Sequence, residues 1–363
     1  MKKLLYTSLL VIFALVVQAQ APKMKTENVI LLTLDGFRWQ EMFGGLDSTL
    51  LHHKEFTKDK NHLIKEFWAE TPEARREKLL PFCWNVIAKK GQLFGDRWNQ
   101  NLVNVSNDQW FSYPGYSEIL VGFHDKRINS NDKFNNPNTT VLEFINQQKA
   151  FAGKVAAFGS WDVFPFIINT ERSKIPVNAG NEPVKGNLNA NEKLLNEMLE
   201  QIPERWGSVR FDAFTYHFAK EYMNKNQPRV MFISLGETDD FAHEGEYDEY
   251  IKSAYQTDRM IADLWDFVQN NPFYKDKTTL IISTDHGRGQ EPIDTWKHHG
   301  QEIPESNEIW LAFLGPDTPA LGHIKTPGQW YQNQIAQTMA AFLGLDYKNV
   351  QEVGKKIEQV LGK

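Results

Sequence analysis

The stretch NVILLTLDGF, residues 28–37, decides the fold of this 363-residue chain. Its first seven residues form a continuous run of strand length, which predicts a central parallel strand buried on both faces. Asp35 and Gly36 follow this run directly. Ligands of open α/β sheets bind in the crevice at the carboxyl ends of the strands. The stretch therefore predicts a buried strand with a functional carboxylate at its end.

Four later segments share this apolar strand pattern, and helical patterns lie between them. The strand segments are residues 154–158, 229–235, 278–283 and 308–314; the helical ones are residues 79–90, 116–122, 191–201, 211–224, 247–270 and 329–343. This alternation predicts an α/β fold with a doubly wound, mostly parallel sheet flanked by helices. We expect one domain over residues 26–350. A polar segment rich in Pro, Gly and Asn predicts a possible cap insertion at about residues 160–228.

The N-terminus predicts export. Lys2 and Lys3 precede an apolar run over residues 4–17, and Val17-Gln18-Ala19 fits a cleavage site, so residues 1–19 read as a signal peptide. The run is shorter than the roughly 20 residues that a membrane-spanning helix needs, which disfavours an uncleaved anchor. We therefore predict a secreted or periplasmic protein with no stable membrane anchor after cleavage. The single cysteine, Cys83, permits no internal disulfide.

The net charge of −6 and the absence of a basic run argue against a nucleic-acid-binding surface. Metal ligands are the better-supported chemistry. Asp239 and His243 are spaced i and i+4, so a helical turn would point both the same way. Asp285 and His286 follow the run TTLIIS, and His298 and His299 come later. Each signal alone fits a cap, an ion pair or a surface residue. Together with Asp35 they predict a pair of zinc-like ions.

These motifs, in this order, resemble those of the alkaline phosphatase superfamily. The nearest branch is that of the nucleotide pyrophosphatase/phosphodiesterase and phosphoglycerate-mutase-like enzymes, over residues 28 to about 345. The resemblance implies two divalent ions, zinc with manganese as the alternative. It assigns one ion to Asp239, His243 and His299, and the other to Asp35, Asp285 and His286. His299 is preferred over His298 because the family's last ligand stands just before a glycine, here Gly300.

The attacking group is the open point of this resemblance. The segment SYPGYSEILVG, residues 112–122, is similar to the nucleophile segment of the phosphodiesterase branch. Counting four residues back from Pro114 places the hydroxyl at Trp110, which cannot attack. Ser112 is the nearest hydroxyl, with Ser106 and Ser117 as more distant choices. Ser112 suits a helix cap equally well. A metal-bound hydroxide would be the alternative attacking group.

The resemblance implies an exported two-metal hydrolase that cleaves small-molecule phosphoric esters, either diesters and pyrophosphates or monoesters. We expect Asn107 and Arg288 to bind the substrate phosphate. The alternatives are a catalytically silent protein that binds metal and phosphate, a sulfatase-like enzyme or a phosphoglyceromutase-like enzyme. The sulfatase reading is disfavoured because the C-x-[PA]-x-R element is absent around Cys83.

Overall fold

The structure is a computed structural model that describes residues 24–362. The predicted signal peptide lies outside the described residues. Among residues 24–362 we find no helix with both the length and the apolar character of a membrane span.

The described residues form eleven strands in chain order. They are β1 (Asn28–Leu34), β2 (Gln92–Phe94), β3 (Asn101–Asn104), β4 (Val155–Gly159), β5 (Val177–Ala179), β6 (Val230–Leu235), β7 (Thr278–Ser283), β8 (Glu308–Ile309), β9 (Leu311–Leu314), β10 (Gly322–His323) and β11 (Gly328–Tyr331).

Fourteen α-helices accompany the strands in the same residues. They are α1 (Trp39–Gly44), α2 (Ser48–His52), α3 (Lys60–Phe67), α4 (Pro72–Leu79), α5 (Ala88–Lys90), α6 (Ser112–Val121), α7 (Val141–Gln147), α8 (Phe164–Ile167), α9 (Thr170–Ser173), α10 (Ala190–Gln201), α11 (Asp212–Asn226), α12 (Glu237–His243), α13 (Tyr247–Asn270) and α14 (Gln334–Phe342). Short 3₁₀ segments span Arg97–Asn99, Ile293–Lys297, Pro304–Asn307 and Glu358–Leu361, and a π-helical turn spans Cys83–Ile87.

Eight strands form the main sheet in the order β10-β2-β9-β7-β1-β6-β4-β5. β1 pairs in parallel with both β6 and β7, so it lies in the centre of the sheet. β9 is the antiparallel member, since it runs against both β7 and β2. The predicted doubly wound, mostly parallel sheet is confirmed.

Successive residues of the central strands enter two different cores. In β1, Ile30 and Leu32 pack into the core on one face, whereas Val29 and Leu31 pack into the core on the other. Neighbouring side chains of a strand point to opposite faces of its sheet, so a strand buried on both sides needs an unbroken apolar run. The helices on the two faces therefore explain why residues 28–34 do not alternate with polar residues.

The predicted strand over residues 308–314 is divided between two sheets. β8 joins the three-stranded sheet β11-β3-β8, whereas β9 pairs with β7 in the main sheet. Trp310 stands at the division. It is buried, and its indole Nε1 donates a hydrogen bond to the carbonyl of Phe37, 2.9 Å away. The break between β8 and β9 could not be predicted from the sequence, because residues 308–314 have the pattern of a single strand.

The segment proposed as a cap is partly built into the domain. β5, within residues 160–228, pairs with β4 at the edge of the main sheet. Trp206 packs against Phe241 of α12, with ring centroids 5.0 Å apart. The hydrophobic core also continues past residue 350, because Val360 and Leu361 are buried in it. Residues that follow the predicted boundary at residue 350 therefore contribute to this core.

Candidate metal centre

Three neighbouring strands bring the predicted ligands to one edge of the main sheet. Asp35 follows β1, Asp285 and His286 follow β7, and a single residue separates the end of β6 from the start of α12. The backbone N–H of Asp35 donates to the carbonyl of Leu235 at the end of β6, 2.9 Å away. Since β1 pairs with both neighbours, side chains from the three strand ends meet above the centre of the sheet.

Asp35, Asp285 and His286 form a fully buried cluster, called here the buried group. Nε2 of His286 lies 3.2 Å from Oδ1 of Asp35 and 3.4 Å from Oδ2 of Asp285. One ligand atom from each residue lies within 4.8 Å of the others. The adjacent residues Asp285 and His286 therefore serve the same point.

In each side chain of the buried group, a polar atom that faces away from the cluster contacts a neighbouring residue. Tyr116 donates its hydroxyl to Oδ2 of Asp35 at 3.0 Å, and the N–H of Gly36 donates to Oδ1 of Asp285 at 3.1 Å. Nδ1 of His286 lies 2.9 Å from the carbonyl of Gly287. These contacts leave Oδ1 of Asp35 and Oδ2 of Asp285 buried without a hydrogen bond. The arrangement is the one expected of ligands oriented by surrounding groups.

Asp239, His243 and His299 form a second cluster, called here the outer group. Nε2 of His243 lies 3.2 Å from Oδ2 of Asp239 and 3.0 Å from Nε2 of His299. Their ligand atoms also lie within 4.8 Å of one another. The side chain of His243 is 42% exposed, so this cluster opens to solvent. The cluster contains His299 and not the neighbouring His298.

Gly36 lies between the two groups. Its φ is +56°, and a Cβ placed on it would lie 2.8 Å from Oδ1 of Asp239 and 3.0 Å from Cε1 of His286. Both the conformation and the space require glycine. The rings of His286 and His299 stack with centroids 3.8 Å apart, so the two groups are in contact.

The pKa values of the buried group are raised, whereas those of Asp239 and His299 in the outer group are lowered. Burial and the charge of Asp239 raise the pKa of Asp35, and burial and Asp35 raise the pKa of Asp285. Burial lowers the pKa of His286, but the carboxylates of Asp285 and Asp35 outweigh it and raise that pKa to about 9. In the outer group, burial and the neighbouring His286 hold the pKa of His299 well below its usual value.

Asp239 behaves differently from the other two carboxylates. Burial alone would raise the pKa of Asp239, but the charges of Arg288 and His243 lower it well below its usual value. Three carboxylates lie within 3.8 Å of Nε2 of His286, and two of them have unpartnered buried oxygens, which is costly without a cation. Carboxylate oxygens and imidazole nitrogens suit Zn²⁺ or Mn²⁺. The residues present therefore fit two divalent ions.

Ser112 is the hydroxyl that the structure brings to this centre. It is the first residue of α6, is buried, and its Oγ lies 3.5 Å from Nε2 of His286. The cap position belongs to Phe111, without a side-chain capping bond, so Ser112 does not act as the cap. Trp110 turns away through a φ of +55°, and its indole donates to the carbonyl of Asn107. The position counted from Pro114 therefore does not supply the group nearest the ligands.

The other predicted hydroxyls serve neighbouring structure. Ser106 donates its hydroxyl to Glu118 at 2.9 Å, and Ser117 accepts a hydrogen bond from Asn136 at 3.0 Å. Neither contact involves a residue of the two groups.

Asn107 and Arg288 make contacts that do not depend on a substrate. Oδ1 of Asn107 accepts from the N–H groups of Gln109 and Trp110, and its Nδ2 donates to Glu118. Arg288 is buried, is paired with Oδ1 of Asp239, and donates to the carbonyl of Lys297 at 2.8 Å. Asn107 thus builds the loop before Ser112, and Arg288 supports the outer group. Their predicted phosphate contacts stay predictions.

Three supporting residues were missed by sequence reasoning. Tyr116 binds Asp35, and Glu118 accepts four hydrogen bonds from Ser106 and Asn107 in the loop before Ser112. Asp212 accepts hydrogen bonds from the N–H groups of Gly236 and Glu237 and so caps α12, which carries Asp239 and His243. The spacing of Tyr116, four residues after Ser112, was a usable signal; nothing local marks Asp212.

Comparison with solved structures identifies proteins that share the fold of this chain. The alkaline phosphatase PafA has a TM-score of 0.59 and 12% identity, over 94% of this chain and all of PafA. A 2-O GAG sulfatase has a TM-score of 0.59 and 12% identity, over 93% of this chain and 74% of that one. The lipoteichoic acid synthase LtaP from Listeria monocytogenes has a TM-score of 0.59 and 11% identity, over 92% and 76%.

At these identities the structural likeness establishes the fold of the alkaline phosphatase superfamily. No curated protein sequence matches the chain. The family description "Type I phosphodiesterase / nucleotide pyrophosphatase" matches residues 132–360, which is more than half of the chain. That range includes five of the six clustered ligands; Asp35 and Ser112 precede it. The chain therefore belongs to the type I phosphodiesterase / nucleotide pyrophosphatase family.

Proposed function

We propose that this protein is an exported hydrolase of phosphoric esters that uses two divalent ions and Ser112, with diesters or pyrophosphates as its preferred substrates. The observation that carries the proposal is the convergence of six side chains into two adjoining ligand groups, with a buried serine hydroxyl beside one of them. Membership of the family supports a hydrolase of this superfamily.

The residues present support a division of roles. The buried group would hold one ion, zinc or alternatively manganese, and the outer group the other. When bound, the two ions would supply positive charge to the phosphoryl oxygens and lower the pKa of a neighbouring hydroxyl. Ser112 lies at the N-terminus of the ten-residue helix α6, where the helix dipole favours an anionic oxygen.

Ser112 would act as the nucleophile. Its Oγ, after loss of the proton to solvent, forms a bond to phosphorus while the bond to the leaving oxygen breaks. The leaving oxygen departs with the bonding electron pair and takes a proton from solvent. Water then bonds to phosphorus, the bond between phosphorus and Oγ breaks, and Oγ regains a proton, which restores the serine hydroxyl. Glu118 and Asn107 would keep the preceding loop in place during both steps, since their hydrogen bonds fix residues 106 and 107.

The pairing of the nearby arginines favours diesters over monoesters. A monoester dianion carries one more charge than a diester and gains more from a free guanidinium. Arg38 is buried against Glu41, and Arg288 is buried against Asp239. Both charges are therefore already balanced by carboxylates, so a phosphate contact of Arg288 would add less than a free guanidinium would, which suits a substrate whose phosphate carries a single negative charge.

A panel of esters tests the proposal. Zinc-loaded protein is mixed with bis-p-nitrophenyl phosphate, p-nitrophenyl phosphate and p-nitrophenyl sulfate, and nitrophenolate release is followed. We expect the highest kcat/KM for the diester. Faster turnover of the sulfate would support the sulfatase alternative. No turnover of any ester by protein that retains two ions would support the catalytically silent alternative.

A further inference from the structure

We propose that Tyr116 is a positioning residue that fixes Asp35 for metal binding, and that it does so from the same helix face that presents Ser112. The inference rests on the proposed function and adds a residue to it. Ser112, Gly115 and Tyr116 are spaced i, i+3 and i+4, so they share one face of α6.

Each of these three residues contacts a different member of the buried group. Ser112 Oγ lies 3.5 Å from Nε2 of His286, and the Tyr116 hydroxyl lies 3.0 Å from Oδ2 of Asp35. A Cβ on Gly115 would lie 2.5 Å from the carbonyl oxygen of Asp285, so the helix backbone packs directly on that residue. One helix face therefore sets both the attacking hydroxyl and the ligands beside it.

The hydrogen bond from Tyr116 has a defined direction. Thr33 of β1 donates to Ser234 of β6 at 2.9 Å, and Ser234 donates to the Tyr116 hydroxyl at 3.0 Å. Because the phenolic oxygen already accepts from Ser234, its own proton is available for Asp35. The three hydroxyls form a buried chain that ends on the carboxylate, and such chains strengthen each bond.

This series of hydrogen bonds determines which oxygen of Asp35 faces the place where the ligand atoms of the buried group meet. Oδ2 is occupied by Tyr116, whereas Oδ1 has no hydrogen bond and lies 3.2 Å from Nε2 of His286. Without the phenol, the carboxylate could rotate or turn both oxygens away from the shared point. Groups that orient a ligand in this way typically change metal affinity 10- to 100-fold when removed.

Tyr113 provides a matched control on the same helix. It is also fully buried, but its hydroxyl donates to the carbonyl of Phe134 at 2.6 Å and not to the buried group. Tyr113→Phe and Tyr116→Phe therefore each remove one buried hydroxyl from α6. Only the second removes a contact with a proposed metal ligand.

The experiment measures metal binding and not turnover. Zinc-loaded wild type, Tyr116→Phe, Ser234→Ala and Tyr113→Phe are titrated with a chromophoric chelator, and the affinity of each of the two ions is obtained. We expect Tyr116→Phe to weaken one ion roughly 10- to 100-fold and to leave the other unchanged. Ser234→Ala should weaken the same ion by less, and Tyr113→Phe should match wild type.

His243→Asn removes one residue of the outer group, so protein with this change should retain the ion held by the buried group. Tyr116→Phe added to this variant should weaken that retained ion. The thermal midpoint of metal-free Tyr116→Phe should equal that of metal-free Tyr113→Phe. Unchanged affinities in Tyr116→Phe would overturn the inference. So would an equal weakening of both ions together with a lower metal-free midpoint, because that pattern reports a structural role only. Wild type that binds no zinc would instead contradict the proposed function.

Discussion

The two ligand groups are built from similar residues but differ in how firmly they are held. The buried group comes from two adjacent strand ends and is closed to solvent, with Asp285 and His286 at 0% exposure. The outer group comes from the short helix α12 and the loop that carries His299, and His243 is largely open.

The supporting contacts follow the same division. Each member of the buried group is fixed through a second atom, by Tyr116, Gly36 or Gly287. In the outer group, Asp239 is held by Arg288, while Nδ1 of His299 is buried without a hydrogen bond. The buried group is therefore fixed by more hydrogen bonds than the outer group.

The largest effect is expected from Ser112→Ala. It removes the hydroxyl next to the buried group but no metal ligand, so kcat should fall roughly 10³-fold or more, as when other covalent nucleophiles are removed. Diester hydrolysis and zinc content are measured together. The zinc content should stay at the wild-type value.

Ser117→Ala is the matched control, because Ser117 is a buried serine of the same helix that bonds Asn136. It should retain wild-type turnover. If Ser112→Ala hydrolysed the diester at the wild-type rate, Ser112 would not be the attacking group, and a metal-bound hydroxide would become the better explanation.

A smaller effect is expected from a ligand change, and it should differ between the groups. Asp285→Asn changes a proposed ligand whose side chain is fully buried, so we expect a loss in kcat/KM of roughly 10²- to 10³-fold, corresponding to several kcal/mol of lost charge stabilisation. His243→Asn disturbs an exposed ligand, and excess zinc should restore most of its activity. Equal losses that respond equally to zinc would remove the distinction between the groups.

The smallest effect concerns the pH dependence of the metal-free protein. The pKa of His286 is raised to about 9, so its contribution to stability is complete below its usual pKa of 6.5 and is lost as the pH rises through 9. The raised pKa values of Asp35 and Asp285 act in the same direction. We expect the free energy of unfolding to fall between pH 6 and pH 9.5, and the shift of His286 alone corresponds to about 3 kcal/mol.

Urea unfolding of chelator-treated protein measures this fall. Zinc-loaded protein should show much less of it, because a metal-bound imidazole nitrogen carries no proton. His286→Asn, also without metal, should show a smaller fall than the wild type. A metal-free protein whose stability rose from pH 6 to pH 9.5 would contradict the proton binding that we assign to the buried group.

Parts of the site could be predicted because they depend on local sequence. Asp35 and Asp285 follow apolar runs of strand length, and the edge at which parallel strands end is common to all of them. The pair Asp239 and His243 needs only one helical turn. The division of residues 308–314 could not be predicted, since it depends on Trp310 reaching the carbonyl of Phe37, 273 residues away.

By itself the sequence determined the parallel strands β1, β4, β6 and β7, the residue types of the six candidate ligands and the strand ends that Asp35, Asp285 and His286 follow, because these depend on hydrophobic periodicity and chain order. Only the tertiary structure decided which hydroxyl lies beside the ligands and which side chains hold them. Ser112 is chosen over Trp110 by the backbone turn before α6, and Tyr116 and Asp212 act across sequence gaps of 81 and 24 residues. Such contacts depend on the packing of distant elements, which no local pattern specifies.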